Sequence, residues 1–128
     1  MRLVMTLLFL LLATGASTLG QDPKKTEPCA DAQTQGDMNI CWGNQYKAAD
    51  TQLNETYQKL VALLETAEKV QLKNVEAAWI KYRDANCEFV ADQYKGGSMR
   101  PMIYAMCMAD MTTNRTTELK HQIEDRNQ

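Results

Sequence analysis

A single histidine, His121, is present in this 128-residue chain, and it lies near a polar C-terminal end. No serine–histidine–acid arrangement has a supporting spacing, and no phosphate-cradling glycine loop or metal motif occurs. Strand-like alternation of apolar and polar residues is absent, as is any internal repeat. Glycine and proline are scarce (6 and 3), and neither occurs between Asn44 and Lys95, so helix can run through most of that stretch. No cysteine pair has Cys-x-x-Cys spacing. With one histidine in the chain, that argues against zinc. These absences leave no catalytic residue, no metal site and no cofactor to expect, and the chain reads as a non-enzyme.

The one long apolar run is at the N-terminus. Arg2 supplies a positive start, Leu3 to Ala13 is apolar apart from Thr6, and Thr14, Gly15, Ala16 and Ser17 are small. That pattern predicts a secretory signal over residues 1–20, with cleavage after Ala16 or Gly20. The run is shorter than the roughly 20 residues a bilayer span needs, so no stable membrane insertion is expected after cleavage. No cysteine follows it closely, which argues against a lipid anchor. Arg2 is the only charged residue of the segment, so the mature part carries 13 bases against 16 acids. A mildly acidic domain is a poor partner for nucleic acid or an anionic membrane face. The expected location is periplasmic or secreted.

Four cysteines in an exported chain read as two disulfides, for which three pairings exist. Cys29–Cys41 and Cys87–Cys107 are favoured because both are local in sequence. The second pair also straddles the breaker Lys95-Gly96-Gly97-Ser98-Met99-Arg100-Pro101, eight residues before it ends at Cys87 and seven beyond Arg100 at Cys107. If both flanks are helical, the two sulfurs stand at matching heights on an antiparallel hairpin.

Residues 21–33, with Pro23 and Pro28, read as an extended lead-in. From Thr34 the pattern becomes helical, and the helical domain is expected over 34–126. Met38, Cys41, Gln45, Ala49, Leu53, Tyr57, Leu60 and Leu64 form one stripe, with Thr34 or Asp37 able to cap its start. Val70, Leu72, Val75, Ala78, Trp79, Tyr82, Asn86, Phe89 and Val90 form a second. The polar break between them falls near 65–69, where two helices with a tight connection are preferred over one long bent helix. Gly96-Gly97 suits a helix terminus and Pro101 the first turn of a third helix. That helix carries Met102, Tyr104, Cys107, Met108, Met111, Arg115, Glu118, Leu119 and Gln122. The expected fold is all-α: a small antiparallel three-helix bundle stapled by two disulfides.

Three constellations stand out. Around Trp79, Tyr82, Arg83 and Asp84, together with Arg115, arginine and carboxylate meet large aromatics. Without a nucleophile this reads as a partly buried ion pair that fixes helix docking. Asp84, Glu88 and Asp92 form an i, i+4, i+8 row, usually a solvated face. Met99, Met102, Met106, Met108 and Met111 crowd thirteen residues. Since they do not share one helical face, core filling or an adaptable contact surface is expected rather than a Cu(I) site.

The segments Thr34-Gln35-Gly36-Asp37-Met38-Asn39-Ile40-Cys41 and Ala49-Asp50-Thr51-Gln52-Leu53-Asn54-Glu55-Thr56-Tyr57 carry a resemblance. So do Ala78-Trp79-Ile80-Lys81-Tyr82-Arg83-Asp84-Ala85-Asn86-Cys87, Gly96-Gly97-Ser98, Pro101-Met102, Cys107 and Thr112-Thr113-Asn114-Arg115. Together they resemble the LprI-like lysozyme inhibitor N-terminal domain family of exported bacterial proteins. The resemblance implies a small helical periplasmic domain and inhibition of lysozyme, a basic enzyme for which an acidic partner is electrostatically suited. The expected contact loop is Gly96, Gly97, Ser98 and Arg100. The alternative is a non-enzymatic structural or adaptor domain of the cell envelope with another protein partner, basic or otherwise.

Overall fold

The computed structural model describes residues 27–128, so the expected signal segment and residues 21–26 of the lead-in lie outside the described residues. Three helices follow in order: α1 (Gln35–Val61), α2 (Thr66–Ala91) and α3 (Arg100–Arg126), with a short 3-10 turn, Asp92–Tyr94, closing α2. Both disulfides form as expected, Cys29–Cys41 and Cys87–Cys107, with Cα–Cα separations of 5.8 and 5.5 Å.

Thr34 and Asp37 both start α1. The Asp37 amide donates to Thr34 Oγ1 (3.1 Å) and the Thr34 amide donates to Asp37 Oδ2 (3.2 Å), so two otherwise unpaired N–H groups are satisfied reciprocally. The break between α1 and α2 spans residues 62–65, a little earlier than the polar stretch implied. Leu64 is drawn into the core there, and the Glu65 amide donates to the Glu68 carboxylate to start α2.

Helix α3 is the spine of the bundle. It packs most extensively on α1 and more sparsely on α2. Small buried side chains at Ala105, Ala109, Thr112 and Thr116 recur four, three and four residues apart, which lets another helix come close. Leu53, Leu60, Leu64, Leu72 and Leu119 form the core, and Tyr57, Val61, Trp79 and Ile123 pack against it. Leu60 and Leu119 are fully buried, worth about 1.5–3 kcal/mol each. The methionines divide between roles: Met102 and Met108 are buried, Met106 and Met111 half-buried, and Met99 exposed.

The second stripe needs correction. Leu72 of it is buried and Trp79, Asn86 and Val90 are half-buried, but Val70, Val75, Tyr82 and Phe89 are exposed, and the rest of the buried face of α2 is Glu76, Arg83, Cys87 and Ala91. The helix is rotated because Cys87 must reach Cys107, and because Glu76 and Arg83 have partners on α3. A buried charge without a partner costs several kcal/mol, far more than an exposed valine or phenylalanine forfeits.

Candidate functional site

Side chains of α2 and α3, with Tyr46 of α1, build an arginine–aromatic stack at the heart of the bundle. The Arg83 guanidinium lies 5.1 Å from the Trp79 ring and 5.6 Å from the Tyr46 ring, and Arg115 lies 5.9 Å from Trp79. Arg83 Nε donates to Asp84 Oδ1 (2.9 Å), its Nη1 donates to Thr112 Oγ1 (3.3 Å), and Asp50 stands at 3.9 Å. One side chain thereby ties all three helices. Arg115 donates from Nε and Nη2 to Glu76 Oε2 (3.1 and 3.0 Å) and from Nη1 to Glu118 (2.8 Å). Burial alone would lower the Arg115 pKa, but the hydrogen bonds to Glu118 and Glu76 hold it above its usual value. Burial likewise raises Tyr46, partly offset by the Arg83 charge.

The stack brings together Trp79, Arg83, Asp84 and Arg115, and leaves out Tyr82, which is 63 % exposed. Glu76, Glu118, Asp50 and Thr112 complete it, and of these only Glu118 had a place on a helical stripe read from sequence. Glu76 carried a signal: it is a carboxylate in helical register with Leu72, Trp79 and Arg83. Glu118 carried one too, three residues after Arg115 on α3, whereas Asp50 and Thr112 carried none because they reach Arg83 from other helices.

The second region is the tip joining α2 to α3. Gly96 takes φ +80°, a conformation that costs other residues about 1–2 kcal/mol. The Gly97 amide donates to the Tyr94 carbonyl (2.9 Å), and Pro101 sits in the first turn of α3. Asn39 Nδ2, from α1, donates to the Ser98 carbonyl (3.1 Å) and moors the turn from the side. Arg100 Nη2 donates to Asp92 Oδ1 (2.9 Å) and to Glu88, and those two bonds raise its pKa. The Asp84, Glu88 and Asp92 row is therefore not simply a solvated face, since all three carboxylates hold an arginine. Arg100 is spent inside the tip, and Lys95 is the cation there that has no ion pair among the described residues.

Two further features bound the chemistry. A cavity of about 560 Å³ lies at the other cystine between Cys29, Asp31, Asp37, Ile40, Cys41 and Asn44, beside Glu27 where the described residues begin. Among the described residues no group of three or more His, Cys, Asp or Glu side chains is placed to hold a metal ion, and no helix is long and apolar enough to cross a membrane.

Fold and site together define a small disulfide-stapled helical domain that spends its buried charges on holding helices and presents a restrained turn. The chain belongs to the LprI family, described as Lysozyme inhibitor LprI, which matches residues 26–119. It is also 38 % identical to an uncharacterized protein of Rhizobium meliloti (strain 1021), over 97 % of each chain. No solved structure matches it. The family is one of inhibitors rather than catalysts. The two cystines suit an oxidising compartment outside the cytoplasm.

Proposed function

We propose that the mature chain is an exported inhibitor that binds lysozyme and blocks its cleft with the tip at 95–100. Family membership carries the lysozyme assignment. The choice of the tip rests on restraint: the Cys87–Cys107 bond, the Arg100 clamp, the Asn39–Ser98 bond and Pro101 all converge on a few exposed residues. A turn already held in one shape loses little conformational entropy on docking.

The chemistry of the target gives the tip a polarity. Glycoside hydrolysis by lysozyme depends on a pair of carboxyl groups flanking the scissile bond. An exposed cation on a narrow turn is the complement of that pair, and Lys95 is placed to supply it. Around it the excess of acidic residues on the domain suits the basic surface of the enzyme and speeds encounter. Export to the periplasm or beyond, by cleavage of residues 1–20, would bring inhibitor and enzyme into one compartment.

The test is a wall-lysis assay with purified, oxidised mature protein at stoichiometric excess over lysozyme. Inhibition is expected, weakened at least about tenfold by Lys95→Glu or Ser98→Arg and unchanged by Lys120→Glu at the far end of α3. Full lysis in the presence of excess wild-type protein would sink the lysozyme reading. Inhibition that survives both tip variants would keep lysozyme as target and remove the tip.

A further inference from the structure

We propose that the outer face of α2 is the interface of an antiparallel homodimer. From Gln71 the residues Val75, Ala78, Tyr82, Ala85 and Phe89 follow at alternating steps of four and three, the seam pattern of paired helices. The seam is uncharged and runs about 27 Å along the helix axis. Val75, Tyr82 and Phe89 are 52, 63 and 75 % exposed, and nothing among the described residues covers them. An apolar stripe of that length beside a polar surface marks an association site.

Two features of the stripe fit a second copy of this chain. The first is size. Bulky Val75, Tyr82 and Phe89 recur every seven residues, with alanine at 78 and 85 between them. An antiparallel pair sets Tyr82 against Ala85 of the second copy and Phe89 against its Ala78, and the two-fold axis repeats both contacts. A parallel pair would put ring on ring and alanine on alanine, leaving alternate crowding and voids where interdigitation is needed. The second is charge. Lys81 and Glu88 are exposed, seven residues apart along one edge of the stripe. The register just described brings Lys81 to Glu88 of the second copy, twice. The other register that packs large on small, Tyr82 against Ala78, would oppose Lys81 to Lys81. Charge therefore chooses between the two registers. Glu88 can turn outward without freeing Arg100, which keeps Asp92. The two tips would then project from opposite ends of the dimer, so the inference does not depend on what the tip binds.

Sedimentation of the oxidised mature chain over a wide concentration range tests this, with melting curves confirming that each variant is folded. A monomer–dimer equilibrium is expected. Phe89→Glu should abolish it, and Lys81→Glu or Glu88→Lys alone should weaken it about tenfold by opposing like charges. The double exchange Lys81→Glu with Glu88→Lys should restore it to near the wild-type constant, an outcome that a merely damaged fold cannot mimic. A chain that stays monomeric at every concentration overturns the proposal. So does a dimer indifferent to Phe89→Glu, or a double exchange no tighter than the single ones. If Phe89→Glu lowers lysozyme inhibition while the wild type is monomeric, the stripe serves the enzyme instead.

Discussion

Replacing Arg115 by methionine should cost far more stability than removing the carboxylate it binds. Glu76 is buried, accepts both of its hydrogen bonds from Arg115 through Oε2, and has no partner for Oε1. Arg115→Met therefore strands a buried carboxylate, a change worth about 3–5 kcal/mol. Loss of the guanidinium over Trp79 adds about 0.5–1 kcal/mol. Glu76→Leu leaves Arg115 still bonded to the exposed Glu118, so about 1–2 kcal/mol is expected. The double variant removes the stranded charge and should lie within about 2 kcal/mol of wild type, giving a coupling energy of at least about 2 kcal/mol. Urea unfolding followed by far-ultraviolet circular dichroism at neutral pH measures all four corners of the cycle. In a domain whose total stability is about 5–15 kcal/mol, Arg115→Met should lower the midpoint of thermal unfolding by more than about 10 °C. An Arg115→Met cost below about 1 kcal/mol, or additive single effects, would refute the claim that this pair is buried and mutually dependent.

Two other outcomes follow from the same structure. Cys87→Ser with Cys107→Ser opens a loop with a sequence separation of 20 and should cost about 3 kcal/mol while the helical dichroism is retained; an unchanged urea midpoint would contradict it. Burial raises Tyr46 and Tyr104 above the ordinary 10.0, with Arg83 partly offsetting both and the Asp84 and Glu88 charges adding to Tyr104. The folded chain then keeps protons that the unfolded chain releases, so this stabilisation is full below pH 10 and is lost as pH rises through the folded values. Tyrosinate absorbance titrated in the native and urea-unfolded states should show the offset, and coincident curves would remove it.

Much of the fold was legible along the chain because its signals are local. Thr34 and Asp37 cap α1, Gly96 supplies the left-handed turn residue and Pro101 opens α3, each acting on its near neighbours. The Cys87–Cys107 pairing followed from two counted arms either side of one breaker. The rotation of α2 did not follow. Both faces of that helix carry apolar residues at helical spacing, and hydrophobicity alone favoured Val75, Tyr82 and Phe89 over a face containing Glu76 and Arg83. The tip shows the same divide. Its glycines and proline were visible, but the Asn39 mooring and the capture of Arg100 needed α1, Glu88 and Asp92 in place.

The sequence by itself determined three helices, two staples and the turn between the last two helices, since caps, breakers and short cystine loops act within a few turns of chain. Only the tertiary structure decided which face of α2 is inside. Arg83 and Glu76 are tolerable in a core only where Thr112 and Arg115 of α3 meet them, and that meeting depends on helices far apart in sequence. The same decision turned Tyr82 and Phe89 outward and left the stripe that a second copy can cover.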